Sequence, residues 1–295
     1  MDALLGKTPA LRQALHDLPL QGTLERLVNY VPDGSYNQLK PALRELTATL
    51  VARFGEGTAL RYGLMLLAAR IREHDQWWDA RRLDAEIEVE FIDSFHRILN
   101  AVARGGVSAL MPDTDAYAKE LAICLYRVIP AGGQLIDPAG GVPRRWFARW
   151  PTPTNLNLLR YVLFNARGFA PFAQFHTNLF QRRWFTPAGW EYAFRRMFAV
   201  FRSYPALKGL VGSSWFFDPA LAAISPELDF VRAIPLRYGA VFVRVQRADS
   251  GGAGAFSLAP ERRKLFETGQ YDPQIYAFIL SRRDILASVA APPLR

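Results

Sequence analysis

The sequence predicts an α+β fold in which a helical N-terminal layer is followed by a mixed α/β sheet domain. Apolar residues recur at intervals of three and four through the first ~105 residues, which is typical of amphipathic helices. After residue 120 the apolar runs become short and are bounded by glycine and proline, which is typical of strands. We therefore expect a helical subdomain over residues 1–120 and an α/β domain over residues 121–295.

The composition is that of a globular protein of one large or two modest domains. Half of the 295 residues are hydrophobic and 21% are charged. No apolar run approaches the roughly 18 residues that a membrane helix needs. The first residues do not resemble a secretory signal, so we expect a cytoplasmic protein. The single cysteine, Cys124, lies in an apolar run, which favours a buried small side chain over a nucleophile.

Three long helices account for most of the N-terminal part. Leu39–Phe54 and Asp84–Ala103 each place apolar residues along one face, and Thr58–Arg72 is apolar on most of its circumference. The run Leu121–Ile129 is short and ends at a proline, which predicts a strand. Residues 130–157 contain five prolines and four glycines, which predicts a linker or a long surface loop, with a lid as the functional alternative.

Strands and helices alternate in the C-terminal part. We expect strands at Leu158–Ala166, Phe169–Thr177, Gly209–Phe217, Ala240–Gln246 and Ile275–Leu280, with a turn at Arg167–Gly168 after the first. Helices are predicted from Thr186, after Asp218–Pro219, after Ser225–Pro226 and at Pro260–Thr268, and a flexible loop at 247–254. Thr186 followed by Pro187 is the strongest of these helix starts, because threonine caps well and proline at the first position loses no hydrogen bond.

Positive charge is concentrated in one segment. Residues Gly141–Arg202 hold ten arginines and one acid, Glu191, which gives 10 − 1 = +9, the net charge of the whole chain. This basic belt, Arg144–Arg202, has two interpretations of equal weight. It is either a solvated surface or a site for phosphate or carboxylate groups, which the guanidinium fork suits.

Several motif classes are absent from the sequence. It contains no phosphate loop, dinucleotide-binding glycine motif, nucleophile elbow or zinc-protease motif. Glu90, Asp93 and His96 recur one helical turn apart, but a second matching row is missing, so we expect no metal and interpret the row as a solvated polar face.

The best candidate site is the strand–loop–helix unit over 169–201. Gln174 and His176 share one face of the strand, and His176 is at its carboxyl end. The loop Gln181–Arg183 then leads into the helix start at Thr186, where free backbone N–H groups and arginines attract anions. The alternatives are a structurally hydrogen-bonded histidine and two arginines that face solvent.

Gly212–Trp215 is the second candidate. Ser213 could polarise a carbonyl or act as a nucleophile with His176 as its base, although small residues also allow close helix packing. Asp218 could be catalytic, but its place directly before a proline favours a helix cap.

The order of elements over 169–280 resembles the later half of the GNAT-type N-acetyltransferase fold. The matching segments are Phe169–Thr177 for the central strand, Gln181–Gly189 for the pyrophosphate loop, Trp190–Phe201 for its helix and Gly209–Phe217 for the strand that splays away. The loop lacks the family's glycine at its fourth position, where Trp184 stands.

The resemblance implies acyl transfer from acyl-CoA to a small molecule or amine. It implies a cofactor site at Gln181, Arg182, Arg183, Thr186 and Gly189. His176 or Gln174 would be the base, and Tyr238 the proton donor.

Two other functions remain open on the sequence. One is a module that binds nucleic acid or another polyanion through the basic belt, with Trp146, Trp150 and Trp184 available for stacking. The other is an enzyme of a different class that uses His176 and Asp218. We favour an anionic small molecule or cofactor as the partner, ahead of nucleic acid; the oligomeric state is not predicted.

Overall fold

The computed structural model describes residues 9–30, 35–74, 78, 83–148, 153–247 and 259–290. The chain divides into two compact units, which are described separately below. Unit 1 comprises Met1–Asp137 with Asn178–Phe180, and unit 2 comprises Pro138–Thr177 with Gln181–Arg295. The division after Asp137 lies later in the chain than the predicted boundary at residue 120.

The fold is α+β, as predicted, and the described residues form thirteen helices and six strands. The helices are α1 Pro9–Asp17, α2 Leu20–Tyr30, α3 Lys40–Phe54, α4 Glu56–Ile71, α5 Ala85–Ala103, α6 Asp115–Cys124, α7 Arg145–Ala148, α8 Pro153–Arg160, α9 Pro187–Ser203, α10 Leu221–Ile224, α11 Phe230–Arg237, α12 Pro260–Glu267 and α13 Arg282–Ala290. The strands are β1 Ile129–Ala131, β2 Gln134–Gly140, β3 Phe172–Thr177, β4 Gly209–Ser214, β5 Val241–Arg247 and β6 Gln274–Ser281.

The three predicted N-terminal helices are confirmed as α3, α4 and α5. Asp84 caps α5 by accepting a hydrogen bond from the amide of Glu86. Helix α4 is buried on most of its circumference, which explains its continuous apolar sequence. None of the helices in the described ranges is long and apolar enough to cross a membrane.

The predicted strand at Leu121–Ile129 is wrong, because Leu121–Cys124 form the end of helix α6, turns follow, and only Ile129 belongs to a strand. Thr114 caps α6 through the amide of Tyr117, at 3.1 Å. The helix is buried on nearly every side, so its apolar sequence has no helical period to recognise. Cys124 is buried as expected, and burial raises the pKa of its thiol.

The predicted linker at 130–157 is also wrong. Strands β1 and β2 form an antiparallel hairpin there, turning at Gly132 with a φ of +59°. Pro130 is tolerated because β1 is an edge strand, where a missing N–H costs no ladder bond. Helix α7 and the start of α8 occupy part of the remaining segment, and residues 149–152 lie outside the described part.

The third error is the strand predicted at Leu158–Ala166. Helix α8 covers its beginning and continues into a π-helical turn, Tyr161–Asn165. Leu158, Val162 and Ala166 are the buried residues, and their spacing of four is helical. The predicted turn at Arg167–Gly168 is confirmed, with both residues at positive φ.

The six strands form one mixed sheet in the order β1-β2-β3-β4-β6-β5. Strands β3 and β4 are parallel and are connected by α9, whereas β4 and β5 both pair antiparallel with β6. The strands predicted near 169, 209, 240 and 275 are thereby confirmed. The strand predicted at Gly209–Phe217 ends at Ser214, because Trp215–Phe217 form a 3₁₀ turn.

The remaining predicted helices are present as short elements. Helix α10 follows Asp218–Pro219, a 3₁₀ turn at Pro226–Leu228 follows Ser225, and α12 matches the segment predicted from Pro260. Helix α13 is an addition that the sequence did not predict. The loop predicted at 247–254 lies outside the described residues after Arg247.

Candidate functional site

The two faces of the sheet in unit 2 are covered by different helices. On one face, Phe175 contacts the rings of Trp190 and Phe194 of α9, with centroids 6.2 and 5.3 Å apart. On the other face, Phe172 and Val211 belong to a core cluster with residues of α7, α8 and the π turn. The candidate residues can therefore be assigned to a face from their place along each strand.

Gln174, His176 and Ser213 lie on the same face of the sheet. Gln174 pairs in register with Val211, so both point to the face that carries α7 and α8. His176 lies two residues beyond Gln174, and Ser213 two residues beyond Val211. Gln174 and His176 are half-buried and Ser213 is exposed. The three polar side chains thus lie near the carboxyl ends of two adjacent parallel strands.

These two strands pair over a short length only. The described register joins Ala173 with Leu210 and Gln174 with Val211. Strand β3 continues to Thr177 and β4 continues to Ser214. Strand β4 keeps its full pairing with β6 on the other side, from Gly209–Ser281 to Ser214–Tyr276. His176 and Ser213 thus lie beyond the last β3–β4 pair, although Ser213 stays paired with Ala277 of β6.

The segment after β3 carries the predicted arginine pair. Residues Leu179–Trp184 form 3₁₀ turns, and Arg182 and Arg183 within them are exposed, while Gln181 is half-buried. Both guanidinium groups are therefore accessible to an anion as well as to water.

The helix start after this segment is capped as predicted. The hydroxyl of Thr186 accepts a hydrogen bond from the amide of Gly189 at 3.1 Å, and Pro187 occupies the first helical position. Proline has no N–H and Gly189 donates to the cap, so an anion here would depend on the amide of Ala188 and on nearby side chains. The helix terminus is a weaker anion site than the sequence alone predicts.

Gly189 is required for a reason other than ligand contact. A Cβ built on it would lie 1.9 Å from the backbone oxygen of Trp184. The glycine therefore allows the 3₁₀ segment to lie directly against the first turn of α9.

Tyr238 lies on the opposite face from Gln174, His176 and Ser213. Its ring stacks on Phe194 at 5.0 Å, and its hydroxyl donates to Glu191 of α9 at 3.0 Å. Burial and then the Glu191 carboxylate raise the pKa of Tyr238 to about 12. The structure therefore does not bring the predicted proton donor together with the predicted base.

Asp218 is a capping and bridging residue, as the sequence favoured. Its carboxylate is buried and accepts hydrogen bonds from the amides of Ala220, at 3.0 Å, and Gln274, at 2.8 Å. The hydroxyl of Tyr271 approaches the same carboxylate at 3.4 Å. These contacts hold the start of β6, and each carboxylate oxygen accepts a hydrogen bond from a backbone amide.

The arginines of the basic belt do not lie on one surface. Arg145 of α7 and Arg160 of α8 lie on one face, with Arg144 directly before α7. Arg195, Arg196 and Arg202 belong to α9 on the other face. Arg196 bonds the hydroxyl of its neighbour Tyr192, at 2.7 Å. Arg149 and Trp150 lie outside the described residues. A continuous nucleic-acid groove along the belt is not supported by this distribution.

Sequence reasoning missed Arg232, which lies under β5 and β6. Its guanidinium is 4.2 Å from the centroid of the Phe242 ring, and it donates to the carbonyl of Phe217 at 2.8 Å. Burial lowers its pKa. No sequence motif marks this residue, because its partners come from distant parts of the chain.

Within the described residues, no group of three or more His, Cys, Asp or Glu side chains is placed to hold a metal ion. Glu90 of the polar row on α5 is buried and accepts from the amide of Gly132 at 3.3 Å, while Asp93 and His96 are exposed.

The chain was compared with protein-family models, with curated proteins and with solved structures, and nothing in any of the three matches it.

Proposed function

We propose that unit 2 binds an acyl-CoA and transfers its acyl group to an amine of a small molecule. One observation carries the proposal: the parallel strands β3 and β4 place Gln174, His176 and Ser213 on one face near their carboxyl ends, and the last pair between the two strands is Gln174–Val211. In open α/β sheets, ligands bind outside the carboxyl ends of parallel strands.

The position of the arginine pair supports an anionic ligand at this edge. Arg182 and Arg183 follow β3 after four residues and are exposed, and α9 begins just beyond them. Guanidinium groups bind pyrophosphate oxygens in a bidentate manner. Pro187 has no N–H and the amide of Gly189 is bonded to Thr186, so few free amides remain at the helix start. The side chains of Arg182 and Arg183 would therefore supply most of the phosphate contacts.

The proposed chemistry needs a base, and His176 is the histidine at this edge. The substrate amine attacks the thioester carbonyl, so that a C–N bond forms and the C–S bond breaks. His176 takes the proton from the amine, and the CoA thiolate that leaves takes up a proton. Gln174 orients the substrate, and the hydroxyl of Ser213 donates to the carbonyl oxygen as negative charge develops on it. Tyr238 has no role in this scheme, because it lies on the other face.

Thermal unfolding with and without acetyl-CoA tests the proposal. We expect millimolar acetyl-CoA to raise the melting temperature of the wild type, and Arg182→Ala combined with Arg183→Ala to remove this rise. Arg195→Ala combined with Arg202→Ala is the matched control, since both arginines are exposed on α9, and it should keep the rise.

The same experiment separates this function from polyanion binding. If acetyl-CoA gives no rise, or if the control pair abolishes it equally, the proposal is wrong. Single-stranded DNA that gives a larger and strongly salt-dependent rise would instead favour the polyanion-binding function.

A further inference from the structure

Helix α8 and the π turn after it expose large apolar side chains to solvent. Leu156, Leu163 and Phe164 are 59%, 43% and 73% exposed. Exposed apolar side chains that cluster along one continuous helical stretch mark an interaction surface more often than isolated exposed residues do.

Arginines alternate with these apolar residues. Arg160 lies four residues after Leu156 and four before Phe164, so it is their neighbour on the helix surface. Arg160 and Arg167 are exposed, and Arg144 lies over the ring of Phe169, 5.3 Å from its centroid. The sequence contains no aspartate or glutamate between Asp137 and Glu191. The charge of this surface therefore suits an anionic partner.

The surface is fixed to the sheet from behind. The inner residues Leu158 and Val162 are buried in the core cluster. The hydroxyl of Tyr161 accepts from the amide of Ser281 at 2.8 Å and donates to the carboxylate of Asp284. That carboxylate also accepts from the hydroxyl of Ser281 at 2.7 Å, so the acidic group next to the surface is already engaged.

A shallow depression of about 440 Å³ lies beside the apolar residues. It is lined by Asn157, Arg160, Tyr161, Phe164 and Asn165. A guanidinium and two side-chain amides can all donate hydrogen bonds, which is the chemistry that a phosphate group requires.

We propose that this surface, formed by Leu156, Arg160, Leu163, Phe164 and Arg167, docks on the anionic face of a phospholipid membrane. The apolar side chains enter the boundary between headgroups and acyl chains, and Arg160 contacts a lipid phosphate in the depression. Arginines interspersed with leucine and phenylalanine on an exposed helix are typical of interfacial membrane binding. Leu156 and Leu163 do not line the depression and are 59% and 43% exposed, which suits a lipid boundary better than a protein partner.

Co-sedimentation with vesicles tests the proposal. We expect the full chain to bind vesicles of phosphatidylcholine mixed with phosphatidylglycerol, to bind more weakly as salt rises, and not to bind pure phosphatidylcholine. Leu163→Ser combined with Phe164→Ser should weaken binding by about tenfold or more. Arg160→Gln should weaken it by a smaller factor.

Matched controls come from other exposed residues of unit 2. Leu236→Ser on α11 and Arg202→Gln on α9 should leave vesicle binding unchanged, since both side chains are exposed and both helices lie on the other face of the sheet from α8. All of these side chains are already in contact with water, so each variant should have the melting temperature of the wild type. The melting temperatures are measured before vesicle binding.

Three results would overturn the proposal. The first is a failure of the wild type to bind the mixed vesicles, and the second is full binding by the Leu163→Ser, Phe164→Ser variant. The third is self-association of the wild type, seen by light scattering and abolished in this variant, because the surface would then be an interface between copies of the chain. Acetyl-CoA binding is measured on the same variant and is expected to be unchanged, so failure here is separable from failure of the proposed acyltransferase function.

Discussion

At the scale of a single residue, Gly189 lies in the candidate site but is required by close packing and not by contact with a ligand. A methyl group there would overlap the backbone oxygen of Trp184, at 1.9 Å, and backbone cannot move aside as a side chain can. We expect Gly189→Ala to lower the free energy of unfolding by about 2–3 kcal/mol, measured by urea denaturation.

The control for this prediction is Gly57→Ala in the first turn of α4. A Cβ on Gly57 meets nothing within 4 Å, so the gain in helix propensity should stabilise by about 0.5–1 kcal/mol. Equal changes in the free energy of unfolding for the two substitutions would mean that the close approach of the Trp184 backbone is not the reason for glycine at position 189.

Asp115 makes the stability of unit 1 depend on pH. Burial alone would raise its pKa, but Lys119 and Lys40 outweigh burial and lower the pKa to about 2. The two amino groups lie 2.8 and 2.5 Å from the carboxylate. Because the folded pKa lies below the unfolded value, the stabilisation is present above about pH 4 and is lost as the pH falls toward 2.

We expect Asp115→Asn to be less stable than the wild type by about 1 kcal/mol at pH 6, a value reduced from the full shift because the side chain is 45% exposed. The difference should shrink when urea denaturation is repeated at pH 3. A difference that is the same at both pH values would contradict this assignment.

At the scale of elements, the cap of α9 is the one feature that the sequence predicted in full. Thr186, Pro187 and the first turn follow from local rules, and the structure adds the 3.1 Å hydrogen bond to Gly189. We expect Thr186→Ala to cost about 1 kcal/mol and Thr186→Ser to recover most of it, by thermal or urea unfolding. A serine variant as unstable as the alanine variant would show that the cap bond contributes little.

The elements that were predicted wrongly share a physical cause. Leu121 to Cys124 is buried on all sides of a helix. Leu158, Val162 and Ala166 face the core from a helical stretch whose exposed side mixes Leu163 and Phe164 with polar residues. A helical period is visible only against a mostly polar face, and neither segment has one. The prolines of residues 130–157 suggested a loop, because proline is excluded from central strands. An edge strand tolerates Pro130, but which strand lies at the edge is known only from the sheet order.

At the scale of the whole molecule, the sequence located candidate residues but not their grouping. Strand alternation correctly placed Gln174 and His176 on one face, and the register adds Ser213 to it. The separation of Tyr238 from these residues depends on which helix covers which face, and that follows from long-range packing of Phe194 with Phe175 and Tyr238. Local sequence rules contain no information on such contacts.

The central claim is that acyl-CoA binds at the adjacent carboxyl ends of β3 and β4, beyond their last mutual pair. Amide hydrogen exchange of the full chain with and without acetyl-CoA tests it most directly. The claim predicts slower exchange in peptides that cover residues 174–189 and 211–215, with little change in peptides over 153–167. Unchanged exchange at both strand ends in the presence of millimolar acetyl-CoA, or protection confined to other segments, would contradict it.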